Sequence, residues 1–134
     1  MKKNPVVHFE MPAKDKKRTA EFYTNAFGWD MKQMGPDMGG YLLATTTESD
    51  EKNGRPKVPG TINGGFYDYK DEPGFQYPSL VISVDDLKAS VEAVKKAGGE
   101  VIGEPMDIPG IGLFVSIQDT EGNRVGMLQP SPQM

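Results

Sequence analysis

Residues 6–31 read VVHFEMPAKDKKRTAEFYTNAFGWDM, which predicts a strand, an acidic turn, an amphipathic helix, a glycine stop and a second strand. Residues 79–102, SLVISVDDLKASVEAVKKAGGEVI, follow the same order. Further short strand-like segments follow each stretch. We therefore predict an internal duplication, with repeats at 5–68 and 77–130 joined by a short linker.

The fold class that these patterns predict is α+β, with two βαβββ modules. In each module one helix covers one face of a mixed sheet. The predicted strands are 6–11, 29–31, 40–46, 62–67, 77–84, 100–102, 112–118 and 124–129. At 134 residues the chain suits a single domain, 1–134, rather than two independent cores. We expect a ligand cleft at the seam between the modules.

The overall composition excludes several classes of protein. The net charge is −4 and the 15 basic residues are scattered, which argues against nucleic acid and membranes as partners. No apolar run is long enough to cross a bilayer, and no hydrophobic segment follows the lysines near the start. The absence of cysteine excludes disulfides and thiolate metal sites and is typical of a reducing compartment. We expect a small cytoplasmic protein.

Histidine occurs once, at His8. The two-histidine, one-carboxylate site of non-haem iron oxygenases therefore cannot form from this chain. A Ser-His-Asp triad would have to use His8, and the sequence has no G-x-S-x-G motif. Glycine-rich nucleotide-binding motifs are also absent.

His8 and Glu10 lie two residues apart on the first predicted strand, so their side chains leave the same face. Val7, Phe9 and Met11 leave the other face, which we expect to meet the helix. His8 and Glu10 would then face the cleft as the candidate catalytic acid/base pair. A buried structural pair held by hydrogen bonds is the alternative.

Other strand positions carry the candidate ligand-binding residues. Aromatic rings there would stack on a planar ligand, whereas packing against the helices is the alternative. Ser79 and Arg124 alternate onto cleft faces, where Arg124 would hold an anionic group; a solvated turn residue is its alternative. The candidates are Trp29, Tyr41, Phe66, Tyr67, Ser79, Phe114 and Arg124. Residues 103–110 are predicted to form a loop that acts as a lid or a dimer contact.

Several runs together resemble the vicinal oxygen chelate superfamily, the glyoxalase/bleomycin-resistance/dioxygenase group. They are HFEMP (8–12), AEFY (20–23), FGW (27–29), VDDL (84–87), AGG (97–99) and DTEGNR (119–124). The resemblance implies a glyoxalase-like fold and a homodimer. Members include metal-dependent lyases, isomerases and dioxygenases as well as metal-free drug-sequestering proteins, so it implies a fold rather than a reaction.

The resemblance also implies where a metal ion would bind, because metal-using members carry one ligand on the first and last strand of each module. Here those positions fall on His8, near Gly65, on Ser79 and on Gly126. Only His8 is a good ligand. We therefore predict no usual metal site and no cofactor, and a small-molecule-binding protein for an apolar or aromatic ligand. The alternative is a metal-dependent lyase or isomerase, similar to lactoylglutathione lyase, or a dioxygenase-like enzyme using Zn, Ni, Mn or Fe.

Overall fold

A computed structural model describes residues 2–132, in which the chain forms eight strands, two α-helices and one short 3-10 helix. Residues 1, 133 and 134 of the predicted domain lie outside this range. Backbone contacts divide the chain into two compact units. The N-terminal unit is His8–Pro78, and the C-terminal unit combines the residues up to Val7 with those from Ser79 onward. The predicted duplication and the single domain stay predictions.

The N-terminal unit is a mixed sheet with one long helix. Its elements are β1 (Val6–Ala13), α1 (Lys16–Phe27), β2 (Asp30–Gln33), the 3-10 helix (Pro36–Met38), β3 (Leu42–Thr45) and β4 (Asn63–Asp68). The strand order is β2-β3-β4-β1, with β1 parallel to β4 and the other pairs antiparallel. This confirms the predicted α+β class for this half of the chain.

The first strand is longer than predicted, because it continues through Pro12 to Ala13. The predicted strand stops at residue 11, directly before Pro12, because proline lacks the N–H that a ladder uses. The carbonyl of Ala13 accepts from the N–H of Tyr69, so the odd-numbered residues of β1 point their backbone groups toward β4. The missing N–H of Pro12 therefore lies on the other edge and interrupts no bond to β4.

The C-terminal unit repeats the order of elements. It contains β5 (Ser79–Ser83), α2 (Leu87–Lys96), β6 (Glu100–Ile108), β7 (Gly112–Gln118) and β8 (Arg124–Pro130). The strand order is β5-β8-β7-β6, with β5 parallel to β8. The predicted loop at 103–110 is wrong for most of its length, because β6 pairs with β7 as far as Ile108. The pairing shifts register between Ile102 and Met106, as in a β-bulge. Gly103 and Pro105, which suggested a loop, lie within this irregular stretch of the strand.

The acidic turns before the two helices and the glycine stop after the first, which the sequence predicts, act as helix caps. The Asp15 carboxylate accepts from the Arg18 N–H at 3.0 Å, and Asp86 accepts from Ala89 at 3.1 Å. Gly28 ends α1 in the left-handed conformation, with φ of 71°. None of the helices within residues 2–132 has the length and apolar character needed to cross a membrane.

The main core cluster of each unit lies on the sheet face that its helix covers. The N-terminal core contains Ala13, Leu42, Ala44 and Phe66, with Phe9, Met11, Ala20, Tyr23, Trp29 and Met31 packed against it. The C-terminal core contains Val84, Leu87, Val115, Ile117 and Met127. We call the opposite face of each sheet its far face. Because side chains alternate along a strand, the remaining strand positions point there.

Candidate functional site

His8 and Glu10 lie on the far face of the N-terminal unit, as the alternation of β1 predicts. Their neighbours Phe9 and Met11 pack into the core beneath α1, on the opposite face. In the parallel ladder His8 is in register with Asn63, and Glu10 with Gly65. Both side chains are half-buried, and the Oε1 atom of Glu10 is buried. The roles of His8 and Glu10 as a catalytic pair stay a prediction.

The imidazole of His8 is joined to the hydroxyl of Tyr41, a residue 33 positions further along the chain. The His8 Nε2 atom lies 3.0 Å from the Tyr41 hydroxyl oxygen. Burial lowers the pKa of His8 to about 4, because a buried imidazole is poorly solvated in its charged form. His8 is therefore neutral at pH 7. A neutral imidazole can donate or accept a hydrogen bond, but it is a much weaker general acid than the imidazolium form.

Tyr41 is placed by the turn that precedes β3. Gly39 and Gly40 adopt left-handed backbone angles, with φ of 69° and 67°, and reverse the chain after the 3-10 helix. The Met34 N–H then donates to the Tyr41 carbonyl at 2.8 Å, which extends the pairing of β2 with β3. The ammonium of Lys16 donates to the Gly40 carbonyl and pairs with Asp68 at 2.8 Å. Lys16 is thus a positioning residue that the sequence analysis missed.

The ring of Tyr41 lies directly over Gly65 on β4. A Cβ atom added at Gly65 would overlap the ring, so this position has no room for a side chain while Tyr41 keeps its place. Gly65 pairs with Leu43, and Tyr41 lies two residues before Leu43 on the same face. The phenol therefore fills the space where the resemblance would put a second metal ligand.

Tyr67 is held by the segment that follows β4. Its hydroxyl donates to the Tyr77 carbonyl at 2.7 Å, and its ring meets Phe75 edge-on with 6.1 Å between centroids. The ring is half-buried and lies on the same face as Gly65, two residues earlier. The far-face position agrees with the prediction, whereas ligand contact by Tyr67 stays a prediction.

Trp29 and Phe66 lie on the helix face and not on the far face, so their expected position in a cleft wall is wrong. Phe66 is only 2% exposed and belongs to the core under α1. Trp29 stacks on Tyr23 of α1, with 4.7 Å between ring centroids and 10° between planes. Both rings therefore pack against α1 and do not line a far face, because an aromatic ring buries a large apolar area in the core. The structure gives no support to ligand contact by either residue.

The far face of the C-terminal unit carries Ser79 and Arg124, as predicted. The buried Ser79 hydroxyl accepts from the Arg124 Nη1 atom at 3.3 Å. Val81 pairs with Gly126, and Ser83 with Leu128, so these side chains share one face. Arg124 is half-buried rather than fully solvated. Anion binding by Arg124 stays a prediction.

Phe114 covers Gly126 in the same way that Tyr41 covers Gly65. A Cβ atom at Gly126 would lie 2.6 Å from the Phe114 Cε2 atom, far inside van der Waals contact. Phe114 precedes Ser116, the partner of Gly126, by two residues. By strand register, Phe114 in this unit occupies the position that Tyr41 occupies in the N-terminal unit. An aromatic ring over a strand glycine therefore occurs in both units.

The donor atoms at the four family positions do not fit a divalent metal ion. His8 supplies one imidazole, and the rings of Tyr41 and Phe114 cover Gly65 and Gly126. A cation beside Ser79 would meet the Arg124 guanidinium, which repels it. In the part of the chain that the structure describes, no three His, Asp or Glu side chains are grouped to hold a metal ion.

Comparisons with known proteins agree with this fold. The model of the Glyoxalase/Bleomycin resistance protein/Dioxygenase superfamily matches residues 6–127. A "Glyoxylase-like domain-containing protein" of Didymella fabae is 35% identical over 117 residues, covering 85% of this chain and 84% of the relative. A "Probable lactoylglutathione lyase" of Vibrio cholerae is 29% identical over 131 residues, covering 96% and 93%.

One solved structure extends the comparison to the fold. The hypothetical protein BH1468 of Bacillus halodurans superposes with a TM-score of 0.69 at 14% identity, covering 99% of each chain. At this identity the likeness concerns the fold alone. Taken with the family match over residues 6–127, the two mixed sheets with their covering helices show that the chain belongs to the Glyoxalase/Bleomycin resistance protein/Dioxygenase superfamily.

Proposed function

We propose that this member of the superfamily binds a small apolar or aromatic molecule and works without the metal ion of its metal-using relatives. The observation that carries the proposal is the pair of rings over glycine. Tyr41 and Phe114 fill the space above Gly65 and Gly126, where metal ligands would otherwise project. An aromatic ring at such a position offers no donor atom to a metal ion. It offers instead a flat apolar surface on which a planar ligand can stack.

The surroundings of the two rings support the same proposal. Tyr41 and Phe114 are both half-buried, so each keeps part of its surface accessible. Half-buried aromatic rings with a few polar neighbours are typical of small-molecule sites. His8 is such a neighbour of Tyr41, and the Ser79–Arg124 pair lies on the same face as Phe114 in the C-terminal unit.

Metal uptake and ligand binding test the proposal together. In equilibrium dialysis against Zn, Ni, Mn and Fe(II) we expect no stoichiometric tight uptake. In a thermal-shift screen we expect planar aromatic compounds to raise the unfolding midpoint, because a ligand of the native state stabilises it. One tightly bound metal per chain that is lost in His8→Ala would contradict the metal-free proposal. The absence of any shift across the aromatic panel would contradict the ligand class.

A metal-dependent lyase or isomerase is the second candidate, and two observations favour it. The Vibrio cholerae relative, described as a probable lactoylglutathione lyase, matches almost the whole chain. His8 and Glu10 also lie on the same face of β1, as a catalytic pair would require. Lactoylglutathione lyase activity that needs added Ni or Zn and is lost in both His8→Ala and Glu10→Gln would establish this candidate instead.

We also propose that the protein acts in the cytoplasm as a homodimer. The edge strand β6 supports the dimer, because Met106 is 61% exposed and Ile102 is 44% exposed on it. An edge strand presents unpaired N–H and C=O groups, which form a template for pairing with another chain. The lack of cysteine is compatible with a reducing compartment.

A further inference from the structure

Two aromatic rings of α1 lie exposed to solvent. Phe22 is 56% exposed and Phe27 is 62% exposed, although both belong to the helix that covers the N-terminal core. Their ring centroids are 6.2 Å apart, and Phe22 also meets Tyr23 edge-on at 5.0 Å. The two exposed rings therefore form one continuous apolar patch. Such patches on the surface of a protein mark places where another molecule binds.

The second unit shows that the fold needs no ring at this place on its helix. Counted from the N-cap of each helix, Tyr23 of α1 corresponds to Val94 of α2, and both pack against the core of their own unit. Phe22 corresponds in the same way to Ala93, which is also exposed. Covering the sheet thus requires a large side chain at the first position only. The exposed ring of Phe22 points instead to contact with another molecule.

The charges along α1 run opposite to those that a helix dipole favours. Within Lys16–Phe27, which the structure describes throughout, the first turn has lysine and arginine side chains but no acidic one, and the last turn has no basic one. The last turn of α2, by contrast, carries Lys95 and Lys96. Cations stabilise the C-terminal end of a helix and not its N-terminal end. The two ends of α1 are therefore complementary to each other, which two antiparallel copies of the helix can exploit.

We propose that α1 binds α1 of a second copy of this chain, with the two helices antiparallel and a two-fold axis at Phe22. In this arrangement the two Phe22 rings meet at the centre of an isologous contact. Arg18 shares the face of Phe22, because it lies four residues earlier on the helix. The axis places Arg18 beside Phe27 of the partner subunit, where a guanidinium is attracted both to an aromatic face and to the negative end of a helix.

This contact is distinct from the proposed pairing through β6, because that strand belongs to the other unit. Two helix faces of this length bury less than about 1,200 Å², which is the range of weak and transient contacts. We therefore expect a dissociation constant of about 0.1–1 mM. At micromolar concentration the α1 contact is largely dissociated. It thus goes beyond the proposed function and does not depend on a ligand or on β6.

Sedimentation equilibrium between about 5 µM and about 1 mM, a range that spans this dissociation constant, tests the proposal. The average mass should rise toward twice that of the species present at the lowest concentration. Phe22→Ala and Phe27→Ala should each weaken this rise about tenfold, because each removes a ring from the contact. Val58→Ala is the matched control, because Val58 is 46% exposed in the same unit, and it should keep the rise. A constant mass in the wild type, or an unchanged rise in Phe22→Ala, would overturn the proposal.

Substitutions of Arg18 test the role of charge. Arg18→Glu places an acidic group in the first turn, which favours the helix itself but brings a negative charge to the negative end of the partner's helix. We expect about tenfold weaker association together with no loss of stability in urea. Arg18→Lys keeps the positive charge and should keep the association. Association that is unchanged in Arg18→Glu would contradict the antiparallel arrangement.

Single cysteines test the direction of the helices, since the chain has no cysteine of its own. Glu21→Cys lies next to the proposed axis and should form an intermolecular disulfide when the protein is oxidised at high concentration. In an antiparallel pair two Lys17→Cys thiols lie about 15 Å apart along the axis, beyond the reach of a disulfide. Adding Phe22→Ala to Glu21→Cys should suppress the cross-link. Equal cross-linking at positions 17 and 21, or none at position 21, would show that the helices do not meet as proposed.

Discussion

At the scale of residues, pairs of neighbouring side chains set the chemistry of each far face. Gly65 on β4 and Gly126 on β8 carry no side chain at positions where the family resemblance implies metal ligands, and an aromatic ring fills each space. His8 keeps a metal-ligating group, but its surroundings hold it neutral and bonded to a phenol. The chemistry of both faces thus depends on pairs of residues and not on individual ones.

The ring over Gly65 leads to a prediction about stability. Gly65→Ala should lower the free energy of unfolding by about 1–3 kcal/mol, because the new methyl group overlaps the Tyr41 ring. In a Tyr41→Ala background the same change should have little effect, since the ring is gone. Urea unfolding of the four proteins gives the coupling energy. An equal loss in both backgrounds would show that the ring is not the cause.

The lowered pKa of His8 predicts a pH dependence of stability. Its pKa is about 4 in the folded chain and 6.5 when unperturbed, so below pH 6.5 the unfolded state binds the proton more strongly. Folding should therefore lose stability as pH falls from about 6.5 to about 4, by at most about 3 kcal/mol. Within this unit the titratable residues on the same face include Glu10, Asp30, Lys32, Tyr41 and Tyr67.

The variant His8→Gln separates this effect from the titration of the carboxylates. Urea unfolding at intervals between pH 4 and pH 7 should show a smaller acid loss in His8→Gln than in the wild type. The difference between the two curves isolates the imidazole. Parallel curves would mean that His8 is not held neutral by burial.

At the scale of elements, local signals fix where the helices begin and end. Asp15 and Asp86 satisfy backbone N–H groups in the first turns of α1 and α2. The Gln129 side chain on β8 also accepts from the Leu87 N–H at 2.9 Å, a long-range cap that no local pattern indicates. Strand ends follow local signals less closely, as the extension of β1 and β6 shows.

The two adjacent aspartates before α2 provide a matched pair of substitutions. Asp86→Ala should lower the free energy of unfolding by about 1 kcal/mol, because it removes the N-cap. Asp85→Ala removes only an ion pair with Lys2 in which both side chains are more than 70% exposed, and such pairs contribute about 0–1 kcal/mol. Chemical denaturation compares the two. A larger loss in Asp85→Ala would contradict the capping assignment.

At the scale of the whole molecule, the 134-residue chain contains two units. In both of them a strand, a long helix and three further strands follow one another in the same order. Each unit has one helix over one face of a four-stranded mixed sheet. The family match spans both units, from residue 6 to residue 127. An edge strand with exposed apolar side chains remains at β6, and this strand motivates the proposed homodimer.

The dimer proposal predicts the mass of the protein in solution and a substitution that should lower it. Light scattering at micromolar concentration should give about twice the 14.7 kDa of one chain. Met106→Lys places a charge on β6 and should shift the mass toward one chain. Phe27→Lys is the control, because Phe27 is 62% exposed at the end of α1 and Met106 is 61% exposed. A single 14.7 kDa species for the wild type would remove the proposal.

The sequence by itself determined the α+β class, the helix caps and the faces of β1, β5 and β8. These features depend on backbone geometry over a few residues, which periodicity and capping patterns record. The same patterns identified His8 and Glu10 as far-face residues, whereas it was the family resemblance that placed Gly65 and Gly126 at positions of metal ligands. These patterns could not show that Pro12 is tolerated within β1. It is tolerated because its missing N–H points away from β4 and interrupts no bond to that strand.

Only the tertiary structure decided which side chains meet. Tyr41 and His8 are 33 residues apart, and their contact depends on the pairing of β3, β4 and β1. Trp29 and Phe66 enter the core because α1 packs over their face, whereas Tyr41 stays on the far face because Gly65 leaves room for its ring. Such contacts are set by the volume available between distant strands, and no local sequence pattern encodes that volume.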